Sequence, residues 1–296
     1  MAAAAGALVP MKGIRRLTGL LLALVPALAG LAQADEGLAW QQQTDRWSVW
    51  QRLDKEALGE TPQEGQTGEQ GGALLVLFPG YSVQRSWAER WAEQLIASPV
   101  AGEVTETWVF AGPKSVFYEN RELPITASLE RLQQSRAFDR VIVVAHSSGS
   151  FPAHLWINQL ASRAQLGERY RGRVDYANLD GGSGKGLEGG DLALGHAALA
   201  LAGQWLSVSV HDRVTGSFSA NHDAMIGLAK ALPEVFTHRL LEVDSGCAAN
   251  AGWCLHDVPI NGRPHDQATF DLERDYTVFT SAHPVTTDWW PVPESE

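Results

Sequence analysis

Ser147 stands where a serine can become a nucleophile. It lies in Val141-Ile142-Val143-Val144-Ala145-His146-Ser147-Ser148-Gly149-Ser150: β-branched residues, then a turn of small residues, then a helical pattern. Four consecutive Val/Ile residues without polar alternation predict a strand buried on both faces, as in a parallel sheet. Beyond the turn, Ala153, Trp156, Ile157, Leu160, Ala161 and Ala164 fall at i, i+3, i+4, i+7, i+8 and i+11, one apolar helix face. Pro152 sits in the first turn, where its absent N–H costs nothing. A strand–Ser–helix turn raises the hydroxyl above the sheet, and the helix N-terminus beside it favours negative charge. The chemistry this permits is attack of the Ser147 oxygen on a carbonyl. The pentapeptide alone leaves a plain buried serine in a βα turn as the alternative.

The elements that must hold such a serine alternate along the chain. Trp40–Leu53 predicts an early strand or hairpin, and residues 54–72, with six Asp/Glu/Lys charges and five glycines, an exposed loop. Ala73–Phe78 reads as a buried strand ending in Pro79-Gly80-Tyr81-Ser82. A helix follows, with Ser86-x-x-Glu89 as a capping box and Ala88, Trp91, Ala92 and Leu95 on one face. Next come a strand at Thr107–Ala111, a helix over 125–137 and the strand before Ser147. Strands at Val174–Leu179, Trp205–Val210 and Arg239–Val243 alternate with helices near 191–204 and 220–232. This order predicts a doubly wound α/β domain.

The segment A-H-S-x-G at 145–149 resembles the nucleophile elbow of bacterial lipases and esterases, with Ala145 where G-x-S-x-G has its first glycine. The whole order of elements resembles the α/β-hydrolase superfamily. The resemblance implies a three-layer α/β/α sandwich with a mostly parallel central sheet, and its specific motifs cover about thirty residues. It implies an oxyanion hole from the backbone N–H of Ser148 and, in the loop after Phe78, that of Tyr81, with Gly80 allowing close approach. Pro-Gly also marks plain turns.

The base is expected after the last core strand. His256 lies there, in Gly246-Cys247…Cys254-Leu255-His256-Asp257, where a closed loop would keep an imidazole aimed. His265 is the second candidate, with His222 and His283 behind it among nine histidines. Asp212 and Asp180 are rivals for the acid. Asp212 follows Leu206–Val210, the usual superfamily position. Asp180, in Asn178-Leu179-Asp180-Gly181-Gly182, matches the acid placement of pancreatic-type lipases, which also carry a histidine two residues after a cysteine. Either aspartate could equally serve a turn or cap.

Lys12, Arg15 and Arg16, an apolar run from Leu17 to Leu31 and Ala32-Gln33-Ala34 read as a signal peptide over 1–34, its start possible at Met11. Export to the periplasm or medium is expected, leaving one 262-residue domain over 35–296 with no integral membrane segment. Cleavage takes away three basic and no acidic residues, so the net charge moves from −11 to −14. That acidity argues against nucleic acid or an anionic membrane as partner. Cys247 and Cys254, with six residues between them, predict one local disulfide in an exported protein. With His256 they would make a poor closed zinc site, so no metal and no cofactor are expected.

These readings converge on a serine hydrolase cleaving carboxylic esters through an acyl-enzyme, with a small ester or lipid as substrate. An amidase or peptidase would use the same groups. A non-catalytic binding protein that keeps the elbow for folding is the alternative of a different class. Trp87, Trp91, Trp156, Trp289 and Trp290, among eleven tryptophans, could line an acyl pocket or fill the core.

Overall fold

The period-two alternation of the buried strands decides the architecture, because each strand feeds two cores at once. The structure is a computed structural model and describes residues 38–52, 72–81, 83–97, 104–112, 123–135, 138–184, 193–247 and 251–262. The expected leader, nearly all of the 54–72 loop, His265, His283, Trp289 and Trp290 lie outside them. All the described residues fall in one compact unit, Gly37–Glu296.

The elements, in chain order, are β1 (Leu38–Gln42), β2 (Trp47–Arg52), β3 (Ala73–Phe78), α1 (Arg85–Ile96), β4 (Val104–Phe110), α2 (Ile125–Gln134) and β5 (Arg140–His146). A 3-10 turn, Ser147–Gly149, leads into α3 (Ser150–Ser162) and α4 (Ala164–Arg169). Then follow β6 (Val174–Leu179), α5 (His196–Leu199), β7 (Ala202–Asp212), β8 (Ser217–Phe218), α6 (His222–Ala231), β9 (Phe236–Val243), α7 (Ala251–His256) and α8 (Val258–Asn261).

The sheet runs β1-β2-β4-β3-β5-β6-β7-β8, with β9 also on β7. Strands β4, β3, β5, β6, β7 and β9 are parallel, whereas β1 and β2 pair antiparallel with their neighbours. The strand or hairpin expected over Trp40–Leu53 is the antiparallel hairpin of β1 and β2. Leu74, Val76 and Phe78 of β3 enter one core with Leu129 of α2, Trp156 of α3 and Met225 of α6. Ala73, Leu75 and Leu77 enter the other with Trp87, Trp91 and Leu95 of α1 and Ile260 of α8. Helices therefore cover both faces, giving the three-layer α/β/α sandwich with a mostly parallel central sheet.

The α3 stripe does what its spacing requires: Ala153, Trp156, Ile157 and Leu160 are fully buried. Side chains of the size of Ile157 and Leu160 contribute roughly 1.5–3 kcal/mol each by leaving water, and Trp156 is further held by Nε1–H to Ser128 Oγ at 3.0 Å. Trp87 and Trp91 are core residues as well.

Three local expectations differ from the structure. The helix near 191–204 shrinks to four-residue α5, because ladder pairing with β6 already begins at Ala202. The helix over 125–137 ends at Gln134. Ser86 caps nothing: α1 starts at Arg85, one residue before it, with no side-chain cap, and Glu89 accepts from Arg85 Nε at 2.7 Å instead.

Candidate active site

Two non-glycine residues among those described have positive φ, Ser147 at 56° and Asp180 at 43°. A left-handed backbone costs a residue with a Cβ about 1 kcal/mol or more, so such strain is held only by firm surroundings. For Ser147 the surroundings are a close seat of the β3 loop on the elbow. A Cβ on Gly149 would lie 2.0 Å from the Phe78 carbonyl oxygen, and one on Gly80 2.8 Å from that of His146. Gly80 itself has φ 104°, open to glycine alone. The loop carrying half-buried Tyr81 thus rests on the turn carrying Ser147 and Ser148, the pair of loops expected to supply the oxyanion donors.

Asp180 ends up on the same ledge. Ser150 Oγ donates to the Ser147 carbonyl at 2.9 Å and accepts from Gly182 N–H at 2.8 Å, while Asn178 Nδ2 donates to the Gly182 carbonyl at 3.1 Å. Asp180 Oδ2 lies 2.6 Å from His256 Nδ1, both residues buried. Oδ1 accepts from Ser219 Oγ at 2.6 Å and Asn221 N–H at 3.3 Å, and Asn221 Nδ2 donates to the Asp180 carbonyl at 2.6 Å. Burial works against an imidazolium at His256, but the Asp180 hydrogen bond and charge, backed by Asp257, outweigh it and raise its pKa above the ordinary 6.5. The other ring nitrogen, Nε2, is buried and has no hydrogen-bond partner among the described residues.

The structure does not bring Asp212 to His256. Its carboxylate accepts from Val214 N–H, Thr215 Oγ1, Ser245 N–H and Oγ and Cys247 N–H at 2.8–3.2 Å. Burial pushes its pKa up, but these hydrogen bonds take it well below the usual carboxylate range. Cys247 is in turn disulfide-bonded to Cys254, Cα atoms 6.4 Å apart. Asp212 therefore anchors the loop leading to His256. His222, another histidine candidate, has Nδ1 on Ser209 Oγ at 2.8 Å.

Sequence reasoning missed Ser219 and Asn221, which carry no signal outside the fold, and the polar environment of His146. His146 is fully buried, its ring centroid 4.7 Å from that of His256. Its Nε2 lies 3.1 Å from the His256 carbonyl and 3.3 Å from Asp257 Oδ1. Burial, then the neighbouring His256 charge, press its pKa down to about 4 against the pull of Asp257. His146, His256 and Asp257 each offer a ligand atom within 4.8 Å of the others. Two imidazoles and a carboxylate are chemically suited to zinc or a similar ion. Trp253 was also overlooked: 39% exposed, it packs edge-on against His256 at 5.0 Å.

No protein-family model matches the chain, and no curated protein matches it. Solved structures similar to it include esterase B from Lactobacillus rhamnosis inhibited by a tributyrin phosphonate, at 16% identity over 76% of this chain and 79% of that one, TM-score 0.42. Others are a fluorophosphonate-binding serine hydrolase of Staphylococcus aureus (10%, 70% and 89%, TM-score 0.43) and a Pyrococcus furiosus esterase (14%, 74% and 87%, TM-score 0.41). The strand order, the antiparallel β1–β2 edge and the serine turn after β5 are those of the α/β-hydrolase fold.

Proposed function

We propose that the protein is a serine hydrolase that cleaves carboxylic esters, with Ser147 as nucleophile, His256 as base and Asp180 as the acid behind it. The observation that carries this reading is the buried 2.6 Å contact from Asp180 to His256 Nδ1, on loops stitched to the strained Ser147 turn. With Nδ1–H held by Asp180, His256 Nε2 keeps its lone pair for the Ser147 proton. The serine oxygen attacks the ester carbonyl, and the Ser148 and Tyr81 backbone N–H groups receive the oxyanion. The imidazolium returns its proton to the departing alkoxide, and water then hydrolyses the acyl-enzyme with His256 again as base. No step draws on a metal or organic cofactor.

The test is labelling with a fluorophosphonate probe, beside Ser147→Ala and His256→Ala variants checked for folding. Labelling of the parent, absent in the serine variant and strongly reduced in the histidine variant, is expected. A folded parent that does not label would overturn the reading and favour a ligand-binding role for the same cleft.

A further inference from the structure

His146 immediately precedes Ser147 in the chain, yet its ring serves the opposite partner. Nε2 lies in hydrogen-bond contact with the His256 carbonyl at 3.1 Å, with the carboxylate oxygen Asp257 Oδ1 nearby at 3.3 Å. A neutral imidazole has one ring proton, and only a proton on Nε2 satisfies that geometry. Nδ1 is then bare, and it is buried without a hydrogen-bond partner among the described residues. Burial in this place keeps the ring neutral down to about pH 4, so no second cation sits beside the imidazolium His256 would become.

We propose that His146 is a positioning residue that clamps the backbone of His256 to the elbow strand through its Nε2–H, with the Asp257 carboxylate lying close beside the joint. The proposal rests on the serine-hydrolase reading for its catalytic consequence, but not for the clamp itself. The physical need is clear from the fold. His256 ends the six-residue helix α7, which no sheet ladder secures. It is tethered by the Cys247–Cys254 bridge on its N-terminal side, by Asp180 at its ring and by His146 at its carbonyl. The tether at the carbonyl refers the base to the residue before the nucleophile, so both are placed from the end of β5. The His146–His256–Asp257 group that has the spacing of a metal site is then explained by the His146 bond to the His256 carbonyl, with the Asp257 carboxylate beside it.

The experiment compares the parent with His146→Gln, whose amide N–H reaches roughly where Nε2–H does, and His146→Phe, which fills the space without a donor. Hydrolysis of p-nitrophenyl butyrate gives kcat and KM. Hydrogen exchange over residues 251–258 reads the clamp without reference to activity. In the Phe variant kcat should fall roughly ten- to hundredfold with KM little changed, the scale of a misplacement of about 1 Å. Exchange at 251–258 should quicken in that variant. The Gln variant should recover both to within about threefold.

A folded Phe variant with parental kcat and exchange overturns the proposal, as does a Gln variant as impaired as Phe. Activity that vanishes on dialysis against EDTA and returns with zinc would give the cluster to an ion and also overturn it. If the parent neither labels with fluorophosphonate nor hydrolyses the ester, the hydrolase reading fails alone. The exchange comparison then still decides the clamp.

Discussion

Replacing Asp180 by Asn should all but extinguish ester hydrolysis, whereas the same change at Asp212 should not. Asp180 Oδ1 already faces two donors, Ser219 Oγ and Asn221 N–H. The amide introduced by Asp180→Asn would therefore keep its oxygen there and turn its NH2 towards His256 Nδ1. That forces the His256 proton onto Nε2, the tautomer that cannot accept from Ser147. The imidazolium also loses its counter-charge. A unit charge pair about 4 Å apart contributes about 4 kcal/mol at an effective dielectric constant of about 20, or about three orders of magnitude in rate. The wrong tautomer brings the expected loss to about ten-thousandfold in kcat, about 5.5 kcal/mol. Asp212→Asn instead loosens the loop at Ser245 and Cys247, so kcat should stay within about tenfold while the thermal midpoint drops. Steady-state hydrolysis of p-nitrophenyl butyrate, with circular dichroism as the folding control, measures both. A folded Asp180→Asn protein within tenfold of the parent, beside an Asp212→Asn protein down a thousandfold, would refute the reasoning.

Other outcomes are expected from the same contacts. The raised pKa of His256 keeps it protonated above pH 6.5, so kcat/KM should climb with pH through an apparent pKa above 6.5. His146 is the opposite case: its folded pKa of about 4 lies below the unfolded 6.5, so the unfolded chain binds the extra proton between those values. Stability should therefore fall as pH drops from 6.5 towards 4, by about 2 kcal/mol at pH 4.5 from this group. Urea unfolding of parent and His146→Gln should differ by that slope. Opening the Cys247–Cys254 bridge, which spans seven positions, by a double Ala substitution should cost about 2–3 kcal/mol, and should lower kcat more than it raises KM. Gly149→Ala should prevent folding or sharply lower the thermal midpoint, since its Cβ would lie 2.0 Å from the Phe78 carbonyl oxygen.

The elbow was legible in the sequence because its signal is local. Four β-branched residues, a small-residue turn and a 3.6-residue apolar stripe specify strand, turn and helix without reference to the rest of the chain. The cysteine spacing and the hairpin at Trp40–Leu53 were legible for the same reason. Boundaries set by partners were not: α5 is cut short where β7 must pair with β6, and Ser86 was displaced from its capping role by the point at which α1 begins.

The choice between Asp180 and Asp212 was beyond the sequence altogether. Each aspartate follows an apolar strand in a turn-forming context, and 76 residues separate Asp180 from His256. Only the sheet, by setting the β6 loop beside the elbow and tying the β7 loop to Ser245 and Cys247, gave one carboxylate the imidazole and the other an anchoring task. The same holds for His146. Its place next to Ser147 is covalent and visible in the chain, but what its ring holds lies 110 residues away and is supplied by the fold.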